Sequence, residues 1–122
     1  MKKVLLVDDS NTTLMTEQMI LQMRPNYHCL TACDGVDAVN KAIEHRPDLI
    51  LMDVVMPRMN GFEACRLLRQ HFATKATPII LVTMRGEPEY LEAGYRSGCN
   101  DYINKPINGP ELLEVLESYL GE

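Results

Sequence analysis

The sequence predicts one α/β domain, a doubly wound parallel sheet with helices on both faces. Two patterns carry that expectation. Short continuous apolar runs recur along the chain, and uninterrupted runs of this length suit strands covered on both faces. Longer amphipathic stretches separate them, so β-then-α units follow one another five times, the order that right-handed crossovers wind into a single sheet.

The first strand is Val4–Val7, which ends in Asp8 and Asp9. A helix starts at the Asp9-Ser10-Asn11 cap region and runs to about Met23, ahead of Pro25. Tyr27–Cys33 is less uniformly apolar, as an edge strand would be. The second helix follows Asp34-Gly35 and covers Val36 to about His45, with Pro47 beyond its end. Leu49–Met52 is the third strand and stops at Asp53. Asn60-Gly61 is the turn signal for a third helix from Phe62 to about Phe72. Ile79–Val82 follows Pro78 and stops at Thr83. The fourth helix begins near Pro88, a first-turn proline, and stops by Gly98. Tyr102–Ile103 is a short fifth strand before Lys105-Pro106. The last helix runs from about Pro110 to Leu120 and ends at Gly121. Residues 1–122 are expected to form a single domain without linker or repeat.

Twelve basic against seventeen acidic residues leave a net charge of −5, which disfavours a nucleic-acid partner. No apolar run approaches the length of a membrane span, and the first run ends in two carboxylates where a signal peptide needs a small-residue cleavage site. Cys29, Cys33, Cys65 and Cys99 form no CxxC pair and read as reduced, mostly buried thiols of a cytoplasmic protein.

In open α/β sheets ligands bind outside the carboxyl ends of the strands. That rule gathers Asp8 and Asp9, Asp53, Thr83 and Lys105 in one place. Three converging carboxylates repel one another unless a cation lies between them, and an oxygen-only donor set suits Mg²⁺. The Lys105 ammonium and the Thr83 hydroxyl complete a receptacle for a phosphoryl group, and a carboxylate can accept phosphate covalently. Asp53 is the best nucleophile, since the adjacent Asp8 and Asp9 serve better as metal ligands. Each residue taken singly is an ordinary cap or loop residue; their joint placement at four strand ends is what points to chemistry.

The stretches Val4–Ser10, Leu51–Pro57, Asn60–Glu63, Leu81–Thr83 and Asp101–Pro106 resemble the receiver domain of two-component response regulators, and the likeness runs from Lys2 to about Leu120. The resemblance implies a flavodoxin-like (βα)5 fold with strand order 2-1-3-4-5 and phosphorylation on Asp53. It further implies Mg²⁺ held by Asp8 (usually through water), Asp9, Asp53 and the backbone carbonyl of Val55. Thr83 and Lys105 would touch the phosphoryl oxygens, the Lys105–Pro106 bond would be cis, and Tyr102 would turn inward as Thr83 moves toward the phosphate.

Several positions depart from the family's common pattern. Met84 stands where a small residue is usual and can lie over the pocket mouth. Ile107 replaces a frequent Phe. Gly94 interrupts the fourth helix, which fits either a surface that shifts on activation or close packing against a neighbour. The first helix carries apolar residues most of the way around, and its Met15, Met19 and Met23 stripe is a docking candidate. Val55 and Arg85 flank the path of a hydrolytic water in this family, and neither can take a proton from it, so with Met84 they predict a long-lived phosphoryl group.

The expected function is that of a receiver that takes phosphate from a histidine kinase or phosphotransfer protein. It then signals through the face built from the fourth helix, fifth strand and fifth helix. A receiver cut from a longer regulator is the alternative. A phosphatase of the haloacid-dehalogenase kind fits less well, because the general acid it needs two residues past Asp53 is Val55 here. A flavin or dinucleotide module lacks its Gly-rich or hydroxyl-rich phosphate loop after the first strand.

Overall fold

The computed structural model describes residues 1–84 and 88–121. Strands and helices alternate: β1 (Lys2–Val7), α1 (Asn11–Leu21), β2 (Tyr27–Ala32), α2 (Gly35–His45), β3 (Leu49–Asp53), α3 (Gly61–Gln70), β4 (Ile79–Thr83), α4 (Pro88–Ser97), β5 (Asp101–Asn104) and α5 (Gly109–Leu120). The strands form one parallel sheet in the order β2-β1-β3-β4-β5. β2 lies at an edge, which is why its run is the least uniformly apolar.

Because side chains alternate across a strand, each buried run feeds two cores. Leu5, Val7, Ile50, Met52, Ile79 and Leu81 face one way, onto Ala38 and Ala42 of α2 and Ala64, Cys65 and Leu68 of α3. Val4, Leu6, Leu49, Leu51, Ile80 and Val82 face the other, onto Leu14, Ile20 and Leu21 of α1 and Leu112, Leu113 and Leu116 of α5. Each large side chain removed from water in this way contributes roughly 1.5–3 kcal/mol.

Side-chain caps start the helices: Ser10, Asp34, Asn60 and Asn108 each accept a backbone N–H of their first turn. Two helices end sooner than their sequence suggests. α1 stops at Leu21, where Met23 and Arg24 fold back on Ile20 and Leu21 carbonyls as a tight turn. α3 stops at Gln70, because His71 is extended and leaves Phe72 on the surface. All four cysteines are free thiols: Cys65 and Cys99 are buried, Cys29 is half-buried and Cys33 is exposed. Among the described residues no helix is long and apolar enough to cross a membrane.

Candidate functional site

The parallel register brings the site together. Val7 pairs with Met52, so the next residues, Asp8 and Asp53, emerge side by side at the carboxyl end of the sheet. Asp53 pairs in turn with Val82, which places Thr83 one step further along the same rim. Thr83 pairs with Asn104, so Lys105 enters from the far side, on a cis Lys105–Pro106 peptide.

The Lys105 ammonium donates to Asp8 Oδ2 at 3.3 Å and to Asp53 Oδ2 at 3.2 Å. The second Asp8 oxygen accepts the Ser10 N–H at 2.8 Å. One carboxylate oxygen from each of Asp8, Asp9 and Asp53 lies within 4.8 Å of the others; Asp8 and Asp53 are buried, and Asp9 is exposed. One ammonium therefore faces three carboxylates. Burial, and then the Asp8 charge, raise the Asp53 carboxyl above the ordinary range, against the opposing pull of Lys105. Burial alone would lower Lys105, but Asp53 and Asp8 together outweigh it and raise its pKa. A carboxylate cluster with this excess of negative charge and only oxygen donors fits a hard divalent cation.

The segment between β3 and α3 is fixed from several sides. Gly61 N–H bonds the Val54 carbonyl at 2.8 Å, and a Cβ at Gly61 would lie 2.5 Å from the Asp53 carbonyl oxygen, so only glycine allows α3 to start this close to β3. Asn60 and Glu63 form a reciprocal capping box. Arg58, in a left-handed conformation, donates to the buried Asp34 carboxylate through Nε at 2.8 Å and through its terminal nitrogen at 2.7 Å. Hydrogen bonds from the Asp37 backbone and Arg58 hold Asp34 below the usual carboxylate range, although burial opposes them. This latch, which joins the start of α2 to the segment carrying Val55, has no local signal in the sequence.

A cleft of about 330 Å³ opens over the carboxylates, walled by Asp9, Asp53, Val55, Thr83, Met84, Tyr90 and Lys105. Val55 and Met84 stand at its mouth, 67% and 80% exposed. Arg85 lies outside the described residues. Tyr102 sits away from the cleft: its ring packs against α4 and its hydroxyl donates to the Tyr90 carbonyl at 2.6 Å. The sequence-predicted residues other than Tyr102 and Arg85 are thus gathered in one place.

Two neighbours of the site escape a sequence reading. Tyr90 forms part of the cleft wall and meets Phe62 edge to face at 5.6 Å. Glu17, in α1, is 1% exposed, and its Oε1 has no hydrogen-bond partner. Burial and the nearby Asp8 charge push its pKa up to about 8. Its spacing is the available signal: Leu14, Glu17 and Leu21 share one helical face, the face that turns to the sheet. Met15, Met19 and Met23 are exposed instead, at 62–66%.

The family model described as the response regulator receiver domain matches residues 4–117. The polar-differentiation response regulator DivK of Brucella anthropi is 35% identical over 99% of this chain and 98% of its own. Protein PilH of Pseudomonas aeruginosa is 37% identical, with 98% of each chain covered. The solved structure of the Vibrio cholerae chemotaxis protein CheY4 superposes with a TM-score of 0.91 at 38% identity, covering 98% of both chains. The receiver domain of a Pseudomonas aeruginosa sensor histidine kinase, solved with a magnesium ion coordinated in its active-site cleft, gives a TM-score of 0.91 at 30% identity, covering 99% of this chain and 98% of that one. The chain belongs to the response regulator receiver family.

Proposed function

We propose that this receiver accepts a phosphoryl group on Asp53 from a phosphohistidine of a kinase or phosphotransfer protein, and signals by an altered protein-binding surface. The observation that carries the reading is the Lys105 ammonium bridging Asp53 and Asp8 in a cleft where three carboxylates converge. In the transfer an Asp53 carboxylate oxygen attacks phosphorus as the bond from phosphorus to the donor nitrogen breaks, and the donor ring, protonated on its other nitrogen, leaves as a neutral imidazole, so that an acyl phosphate forms on Asp53. Asp8, Asp9, Asp53 and the Val55 carbonyl are the residues assigned to Mg²⁺, and the donor set fits it. When bound, the ion screens the negative charge that gathers on the transferred group. Lys105, already within reach of Asp53, leaves the carboxylates to hold a phosphoryl oxygen, and Thr83 at the adjoining rim donates its hydroxyl to another.

The raised Asp53 pKa supports this assignment, since a more basic carboxylate is the better nucleophile. The apolar covers Val55 and Met84 support slow hydrolysis, because neither orients a water in line with the acyl phosphate. The exposed Met15, Met19 and Met23 stripe on α1 is assigned to phosphodonor docking, and α4, β5 and α5 to the output partner. Residues 1–122 are assigned to one cytoplasmic receiver domain that acts on its own Asp53 and on no other substrate. The test is intact mass after incubation with acetyl phosphate and Mg²⁺. A single phosphoryl addition that disappears with EDTA and in Asp53→Asn is expected; an equal mass gain in the variant overturns the assignment.

A further inference from the structure

Gly94 lies inside α4, in the middle of a helix where glycine is the poorest ordinary choice. The structure gives it a specific task. A Cβ at this position would lie 1.7 Å from the Tyr102 hydroxyl oxygen and 2.5 Å from Cζ of the same ring. The ring is rigid and its hydroxyl lies on the axis of the second torsion, so the hydroxyl cannot withdraw unless the whole side chain swings about its first torsion. In the notch the hydroxyl donates to the Tyr90 carbonyl at 2.6 Å and reaches the Leu91 carbonyl at 3.2 Å. The Tyr95 ring meets Tyr102 edge to face at 5.4 Å and closes the seat from the outer side. Burial raises the Tyr102 phenol well above its ordinary pKa, so it stays a donor. Tyr90, which receives the bond, turns its own side chain into the wall of the phosphorylation cleft.

We propose that Gly94 and Tyr90 are positioning residues that make α4 a mechanical link between the cleft and strand β5: the Gly94 notch seats Tyr102, and the seated hydroxyl grips the backbone of the residue that walls the cleft. The link rests on the phosphoacceptor reading of Asp53 for its input. The seat itself does not.

The experiment uses the full chain labelled with 3-fluorotyrosine, whose five resonances are assigned by single Tyr→Phe changes. Without additives, Gly94→Ala moves the Tyr102 resonance to a solvent-exposed position and shifts Tyr90 with it. With Mg²⁺ and beryllofluoride, Tyr90 and Tyr102 both respond in the wild type, whereas in Gly94→Ala the Tyr102 response is lost and that of Tyr90 persists. Melting temperature gives a second readout. Alanine at position 94 lowers it in the wild-type background, but raises it in Tyr102→Ala, where only helix propensity acts. If Gly94→Ala does not fold, Tyr102→Phe keeps the notch open, removes the grip and still shifts Tyr90. An unmoved Tyr102 in Gly94→Ala, an unmoved Tyr90 in Tyr102→Phe, or the same sign of melting shift in both backgrounds overturns the link. Failure of acetyl phosphate to add mass at Asp53 sinks the phosphoacceptor reading instead, and the additive-free resonances and melting temperatures still decide the seat.

Discussion

Two cations sit at opposite ends of the sheet, and their surroundings differ in kind. At the amino end Arg69 spreads its donors over neutral acceptors: the carbonyls of Gly98 at 2.8 Å, Thr74 at 3.2 Å, Lys75 at 3.3 Å and Thr77 at 2.7 Å, and the Asn100 side chain at 2.8 Å. At the carboxyl end Lys105 faces two buried carboxylates at 3.2 and 3.3 Å, with Asp9 completing the acidic cluster. The first arrangement satisfies donors with dipoles and leaves no carboxylate to balance. The second holds more negative charge than one ammonium offsets. A saturated end fixes loops; an under-neutralised end waits for charge.

The amino end breaks most severely. Arg69→Ala removes a side chain that joins the segment after α3 to the turn before β5, and should cost about 3 kcal/mol. Urea denaturation measures the loss, and the fraction of folded protein that acetyl phosphate labels should stay at the wild-type level. A variant that folds as well as wild type would show that the backbone holds those loops unaided.

Glu17 sharpens the contrast from the other end. Its folded pKa of about 8 lies above the ordinary 4.5, so the unfolded chain gives up the proton first. The stability this residue allows is full below about pH 4.5 and is lost as pH rises toward 8. The loss should be about 2 kcal/mol between pH 5 and pH 8, allowing for relaxation around the charged form. Glu17→Gln should remove that slope. Equal pH dependence in both proteins would mean that Glu17 finds a partner or water when it ionises.

The smallest effect concerns the mouth of the cleft. Val55→Asn should speed loss of the phosphoryl group roughly tenfold, if one oriented water is worth about 1.4 kcal/mol. Phosphoprotein decay followed by mass decides it; an unchanged rate would show that water entry is not controlled at Val55.

The sequence displays the site more readily than its supports. Val4–Val7, Leu49–Met52 and Ile79–Val82 are legible as strands because both of their faces are covered, and a parallel sheet then forces Asp8, Asp53, Thr83 and Lys105 onto one rim. Glu17 is hidden because α1 is apolar nearly all round. Its three methionines form the exposed face, while the carboxyl turns inward beside Leu14 and Leu21. The Arg58–Asp34 latch joins residues 24 apart in sequence, and Arg69 reaches as far as Asn100, 31 residues on; neither pairing leaves a local periodicity to detect. Gly94 is visible as an interruption of a helix, but its reason is a tyrosine on the neighbouring strand.

The central claim is that the carboxyl end carries uncompensated negative charge which a divalent cation relieves. Thermal unfolding of wild type and Asp53→Asn, each in EDTA and in saturating Mg²⁺, tests it most directly. Because the Asp53 pKa is raised, its ionised form opposes folding, so Asp53→Asn should melt above wild type in EDTA. Magnesium should then stabilise wild type far more than the variant and close or reverse the gap. A variant that melts below wild type in EDTA, or an equal gain from Mg²⁺ in both proteins, would contradict the account.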